Sequence, residues 1–504
     1  MTITLQNTEK GQCYAVKFDR YRQQVVDKLK SSVSIRWWDK QTGAWLIPAT
    51  NKCKAELDQL TYYARHFEPV QWGTVAQSQT EEDVAFQIPE MPELDGDHGL
   101  KIQPYPYQLQ GIARGLQLKR FINGDDMGLG KSLESIATIN KADAFPCLVI
   151  CPNVVKINWQ REWHKFTDKK AMVLTDSVRD SWPFFWQTGM NQVFIVNYES
   201  LRKYFVRRIT KAEKWTLKDV EFHNTIKLFK SVIIDESHKV KSTATQQTKF
   251  CKGIASGKEY IILLTGTPVV NKPKDLVAQL GIMDRMIDMG GWKGFMLRYC
   301  SGPNQASNLK ELNYKLWQHC FFRREKSKVL TQLPDKVRQI VSCEITNRKE
   351  YMDAERDLID YLKRYKEADD EKIQKSLKGE VMVRIGILKD ITARGKLKEV
   401  IDFVKDFREN GKKIILFCNL HEIVDRLMIA FPSAVCVTGR QNMQEKQASV
   451  DAFQKNPKTD VIICSIKAAS AGITLTAASD VAFIELPWTY ADCDQAESRA
   501  HRIG

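Results

Sequence analysis

Asp125-Asp126-Met127-Gly128-Leu129-Gly130-Lys131-Ser132 decides how the rest of this chain is read. A short strand is predicted over Arg120–Asn123 and a helix from Lys131 to Asn140, so the stretch reads as a strand–loop–helix turn. Two glycines let backbone N–H groups close on an anion. Lys131 can then reach terminal phosphates, and the Ser132 hydroxyl suits Mg2+. The general phosphate-loop pattern wants glycine at position 125, where aspartate stands. Taken alone, the stretch is an ambiguous nucleotide site, and the flanking sequence has to decide it.

The 504 residues call for more than one domain, with ordinary hydrophobic content of 43%. Lys and Arg number 76 against 61 Asp and Glu, a net charge of +15 that favours a polyanionic partner, nucleic acid first. The 12 cysteines show neither paired metal spacing nor a disulfide framework, and Cys147 and Cys151 flank a buried strand as core thiols. With no signal peptide, this implies a reducing, intracellular setting: cytoplasmic in a bacterium or phage host, nuclear in a eukaryote. No apolar run reaches the roughly 18 residues of a membrane span. No low-complexity tract or short repeat is present.

Residues 1–75 form a small basic unit, with a helix near Val25–Leu29 and strands at Val33–Trp38 and Ala44–Ile47. Residues 76–100 read as an acidic linker: every charge from Glu81 to Asp97 is negative, and Pro89, Pro92, Gly96 and Gly99 break any pattern. From 101 to 320, apolar runs at Cys147–Cys151, Val193–Asn197, Ser231–Ile234 and Tyr260–Leu264 alternate with amphipathic stretches, the rhythm of a covered parallel sheet. A charged helical connector occupies 321–395. A second α/β lobe over 396–504 has strands at Lys413–Cys418, Ala434–Thr438, Asp460–Cys464 and Val481–Glu485.

Three further stretches bear on chemistry. Val232-Ile233-Ile234-Asp235-Glu236-Ser237-His238 ends a buried strand in two carboxylates, at the sheet edge where ligands bind. Asp235 suits Mg2+ and Glu236 suits polarising an attacking water, although alone the pair reads first as surface acids. Thr265-Gly266-Thr267-Pro268 ends the next strand and can sense a γ-phosphate, or is a plain turn. At the end of the chain, Arg499 and Arg502 lie i, i+3 on one helix face and can embrace phosphates from the opposite lobe.

Together these stretches resemble helicase superfamily 2, specifically the SNF2 family of DNA-dependent ATPases. Asp125–Ser132 is similar to the family's first motif, whose own form carries no glycine at 125; Asp126 and Ser132 are conservative departures. Tyr107-Gln108 resembles the glutamine motif that reads adenine. Cys151-Pro152 through Asn158-Trp159 and Glu162 resembles motif Ia, near DNA. Asp235-Glu236-Ser237-His238 matches Asp-Glu-Ala-His, with serine for alanine, and Asn271 fits the asparagine after motif III. In the connector, Phe322-Arg323-Arg324 and Leu333-Pro334-Asp335-Lys336 are similar to the segment leading into the second lobe. Ile415–Cys418 resembles motif IV, and Ser465 through Ala478 resembles motif V with Ser470-Ala471 where glycine is common. Pro487-Trp488 and Gln495–Gly504 resemble motif VI. In the N-terminal unit, Trp37-Trp38-Asp39 and Gly43–Pro48 resemble the HARP domain of annealing helicases; Trp37, Trp38 and Trp45 either stack on bases or fill a small core.

The resemblance implies an α/β protein of two RecA-like parallel-sheet lobes with ATP and Mg2+ between them. Gln108, Asp126, Gly128, Gly130, Lys131, Ser132, Asp235 and Gln495 would hold the nucleotide, with Ser132 and Asp235 on the metal. Lys131, Glu236, Arg499 and Arg502 would carry catalysis. A monomer acting on duplex or branched DNA is expected, translocating and remodelling or annealing forks. A strand-separating helicase and an ATP-switched DNA-binding protein stay open, and a chromatin remodeller ranks behind them because no accessory module is visible. The family continues past the position of Gly504 with a glutamine, a strand and a bracing helix, so the chain is expected to be short there.

Overall fold

The computed structural model describes residues 1–8, 11–18, 21–40, 42–67, 69–73, 86–269, 272–301, 305–334, 336–356, 380–466 and 473–501. The chain divides into two units, Met1–Gln87 and Ile88–Gly504.

In the first unit a five-stranded sheet runs in the order Trp37–Asp39, Ala44–Pro48, Gly11–Lys17, Thr2–Thr8, Gln71–Gly73. Its pairs are antiparallel except Thr2–Thr8 with Gln71–Gly73. Helices Gln23–Ser32 and Asn51–Ala64 carry Val25, Leu29, Leu57 and Leu60 onto Ile3, Val16 and Ile47. The expected helix and two strands are present, the first strand shorter than expected because Val33–Arg36 does not pair. The long hairpin of Thr2–Thr8 and Gly11–Lys17 was not anticipated. Trp38 is 49% exposed, Trp37 and Trp45 are half-buried, and Trp38 meets Trp45 edge-on at 5.4 Å.

The second unit holds two all-parallel sheets. The first has seven strands in the order Phe321–Phe322, Arg120–Asn123, Tyr260–Leu264, Ser231–Asp235, Cys147–Cys151, Val193–Asn197, Ala171–Val173. Strands buried on both faces need apolar residues at every position, which is why Cys147–Cys151, Val193–Asn197 and Tyr260–Leu264 are buried throughout. Burial also pushes the Cys147 thiol up to about 12, as befits a core thiol. The second sheet has four strands in the order Val435–Val437, Val461–Cys464, Ile414–Phe417, Asp480–Phe483.

Two boundaries differ from the sequence reading. Phe321–Phe322, expected in the connector, is the edge strand of the first sheet, and Gly124 N donates to Phe322 O at 2.8 Å. The later part of the expected linker lies on the first lobe: Met91 and Leu100 pack against its core, and Asn140 donates to Gly99 O at 2.6 Å. Its acidic start at Glu81–Asp83 lies outside the described residues, as do connector residues 357–379. Connector helices Arg348–Arg356 and Glu380–Gly395 pack on each other through Ala354 and Ile391. Among the described residues no helix is long and apolar enough to cross a membrane.

Candidate active site

The phosphate loop joins Arg120–Asn123 to the helix Lys131–Lys141. Its turn needs left-handed backbone, with φ of 86° at Gly128 and 90° at Gly130, which glycine adopts without strain. Gly130 also has no room for a side chain, since a Cβ there would lie 2.4 Å from Gln108 Nε2. Gln108 is buried: Nε2 donates to Leu129 O at 3.0 Å and Oε1 accepts from Tyr105 N at 3.0 Å. Expected as an adenine reader, it braces the loop. Lys131 stands in the first turn with Ser132, and its Nζ donates to the carbonyls of Asp125 at 2.6 Å and Asp126 at 3.2 Å. The lysine expected on terminal phosphates thus closes the loop upon itself.

The two aspartates of the loop face the segment after Phe322. Asp125 is 0% exposed and accepts from Arg324 N at 2.7 Å and from Arg324 Nε at 3.1 Å on both oxygens. Arg324 also donates to Glu134 Oε1 at 2.6 Å and to the Tyr107 carbonyl. Asn123 completes the cluster, donating to Glu134 Oε2 at 2.8 Å. Burial pushes the Glu134 carboxyl upward against the pull of Arg324. Asp126, expected on the nucleotide, has its carboxylate committed elsewhere. Oδ1 accepts from Arg323 Nη2 at 3.0 Å and Oδ2 from Lys326 N at 3.0 Å.

At the end of Ser231–Asp235, Asp235 Oδ2 accepts from Trp159 Nε1 at 2.9 Å, and the Tyr198 hydroxyl donates to the Asp235 carbonyl at 2.5 Å. Burial, then the Glu236 charge, push the Asp235 carboxyl up to about 6. A carboxylate so enclosed gains from a divalent cation, and with the Ser132 hydroxyl and a glycine-lined helix N-terminus the residues fit a Mg2+–polyphosphate. Glu236 is left-handed at φ 52°. Its Oε2 lies 3.3 Å from His238 Nδ1, which is 3.3 Å from Thr265 Oγ1. Burial, then Lys239, hold His238 down at about 4, so the ring is neutral near pH 7. Ser237 donates to Gln279 Oε1 at 2.8 Å, and Gln279 donates to Pro268 O at 2.9 Å. The strand-end acids and the Thr265–Pro268 turn are therefore one hydrogen-bonded unit.

The second lobe meets this unit through the helix Tyr490–Glu497 and the residues after it. Gln495 Nε2 donates to Glu236 Oε1 at 3.2 Å, and Ser498 Oγ contacts Met127 Sδ at 3.2 Å. Arg499 is buried, its carbonyl accepting from Leu475 N at 3.1 Å. Arg502, Asn271, Asp335 and Ser470–Gly472 lie outside the described residues.

An SNF2-related domain matches residues 107–392, more than half of the chain, and a helicase conserved C-terminal domain matches 395–504. The chain belongs to the SNF2 family. That family is one of DNA-dependent ATPases, and this SNF2 chain carries both matched domains. It is 27% identical over 516 residues to a Caenorhabditis elegans SWI/SNF-related matrix-associated actin-dependent regulator of chromatin subfamily A-like protein 1 homolog, covering 98% of this chain and 70% of that protein. It is 29% identical over 428 residues to the human DNA annealing helicase and endonuclease ZRANB3, covering 80% of this chain and 37% of that one. A Sulfolobus solfataricus SWI2/SNF2 ATPase core solved in complex with dsDNA is similar at 23% identity and a TM-score of 0.41, covering 78% of this chain and 84% of that one. The N-terminal unit lies outside both matched domains.

In this SNF2 site, sequence reasoning missed the residues that hold the functional ones. Trp159 reads in sequence as part of the DNA-side motif Ia, yet its indole orients Asp235. Arg324 reads as connector, yet it is the counter-charge of the phosphate loop. The available signal was an acid, Asp125, placed just past the end of a buried strand, where a charge needs a partner.

Proposed function

We propose that this SNF2 protein is an ATP-dependent DNA translocase whose N-terminal unit directs it to forked or branched DNA for remodelling or annealing. The observation that carries the reading is the contact of Gln495 with Glu236, which joins the two lobes at the strand-end acid. In this reading Gly128, Gly130, Lys131 and Ser132 hold the polyphosphate, and Ser132 and Asp235 hold Mg2+. Bound there, ATP supplies the phosphoanhydride bond and Mg2+ offsets its negative charge. Glu236 accepts the proton of the attacking water, while Arg499 and Arg502 stabilise charge developing on the transferred group. The neutral His238 keeps Glu236 and Thr265 in register. Because the site is split between lobes, hydrolysis requires them together, and alternate opening and closing moves the protein along a backbone. The exposed face of Trp38, with Lys30 Nζ 5.9 Å from the neighbouring Trp45 ring, supports base stacking by the N-terminal unit. The name of the human relative, an annealing helicase, points the same way.

The test is ATP turnover on single-stranded, duplex and forked DNA. Lys131→Ala should abolish it, and Glu236→Gln should bind ATP but hydrolyse it at least about a hundredfold more slowly. Removal of residues 1–75 should impair action on forks more than turnover on plain duplex. Wild-type turnover in the Lys131 variant sinks the site, and equal losses on forks and duplex sink the role of the N-terminal unit.

A further inference from the structure

The segment after the edge strand Phe321–Phe322 touches both halves of the candidate site. Its backbone runs beside the phosphate loop: Asp126 N donates to Arg324 O at 3.1 Å, and Lys326 N donates to Asp126 Oδ2 at 3.0 Å. From that anchored position the Lys326 side chain reaches the second lobe, where Nζ donates to the His501 carbonyl at 2.8 Å. His501 stands between Arg499 and Arg502 in sequence, and its ring lies 2.8 Å from the Pro334 carbonyl further along the same segment. One residue therefore bonds the loop that would hold the phosphates with its backbone, and the arginine-bearing turn with its side chain.

We propose that Lys326 is a positioning residue that ties the placement of the arginine-bearing turn to the conformation of the phosphate loop. The inference rests on the reading of Arg499 and Arg502 given above. An ammonium donating to a carbonyl is a charge-assisted bond, stronger than a neutral one and tolerant of rotation about its stem. Its fixed end is Asp126, whose other oxygen is held by Arg323. A shift of the loop at Asp126 is thus passed through the Lys326 side chain to the backbone at His501, two residues from Arg499.

The substitution Lys326→Ala separates the two ends, because the backbone N–H on Asp126 survives and the bond to His501 is lost. With saturating DNA, kcat should fall about tenfold or more, as expected for one lost charge-assisted hydrogen bond, while KM for ATP stays within about twofold. Lys326→Arg keeps a cationic donor and should restore kcat to within about threefold of wild type. Melting temperatures of both variants establish that they fold. A kcat for Lys326→Ala within twofold of wild type, a raised KM at unchanged kcat, or no recovery in Lys326→Arg overturns the coupling. Amide exchange supplies a readout independent of turnover. The amides of Arg499, Ala500 and His501, which bond to Ala496 and Glu497 carbonyls, should exchange faster in Lys326→Ala and recover in Lys326→Arg. Unchanged exchange there also overturns it. If the wild-type protein hydrolyses no ATP with DNA, the translocase reading fails, and the exchange result still decides the coupling.

Discussion

The phosphate loop and the turn bearing Arg499, the two halves of the proposed site, are held in different ways. On the first lobe, Arg324 is 8% exposed and locks onto Asp125 at 0% and Glu134 at 1%. On the second lobe, Glu497 and Asp494 are held by Lys336 and Arg338, which are 30% and 51% exposed. Charges removed from water interact strongly and tolerate no loss of a partner, whereas solvent-facing pairs are screened and exchange readily. The difference teaches that the nucleotide loop is braced by a buried ion cluster, while the turn bearing Arg499 is flanked by partly exposed pairs. Such a division suits the proposed translocase, which would keep its loop formed while its lobes separate.

Arg324→Ala tests the buried side most severely. Leaving Asp125 and Glu134 without their counter-charge should cost about 3–5 kcal/mol, read as a lower denaturant midpoint for the first lobe. Wild-type stability would break the comparison. Gly111→Ala probes the same cluster from the helix Pro106–Leu118. A Cβ there would sit 2.4 Å from Glu134 Oε2 and 2.7 Å from Arg324 Nη2, in a network with nowhere to move. We expect a loss of about 1–3 kcal/mol by the same assay, and a neutral result would mean that the cluster yields more easily than its bonds imply. Trp159→Phe keeps the buried ring but removes the donor to Asp235. It should lower stability by about 1–2 kcal/mol and raise the Mg2+ concentration needed for half-maximal ATPase; an unchanged Mg2+ dependence would detach Trp159 from the site. The smallest effect belongs to the partly exposed side. Lys336→Ala with Arg338→Ala should change stability by less than about 1 kcal/mol, yet lower DNA-stimulated turnover at low salt, with the gap to wild type closing as salt rises. A stability loss as large as that of Arg324→Ala would erase the contrast between the halves.

The legibility of the fold followed the same division. Central strands such as Val193–Asn197 and Tyr260–Leu264 announce themselves because parallel strands covered on both faces must be apolar throughout. Phe321–Phe322 does not, since two residues show no period and pair only because Arg120–Asn123 presents a free edge. The hairpin of Thr2–Thr8 and Gly11–Lys17 carries no clear alternation, because buried residues fall on both of its faces, Ile3 and Val16 on one and the small Cys13 and Ala15 on the other. In the site, the chemical groups were legible and their supports were not. The motifs place Gln108 and Asp126 on the nucleotide; in the structure Gln108 bonds the Leu129 carbonyl of the loop, and the Asp126 carboxylate bonds Arg323 and Lys326.

Sequence alone determined the phosphate loop, the strand-end acids and the parallel lobes, because each is written locally: left-handed glycines before a helix, and apolar runs ending in carboxylates. Tertiary structure alone decided what holds them. Arg324 meets Asp125 across 199 residues, Trp159 meets Asp235 across 76, and Lys326 meets His501 across 175. An ion pair or a single hydrogen bond between distant segments leaves no periodicity in either one, so it exists for a reader only once the sheets have brought the two ends together.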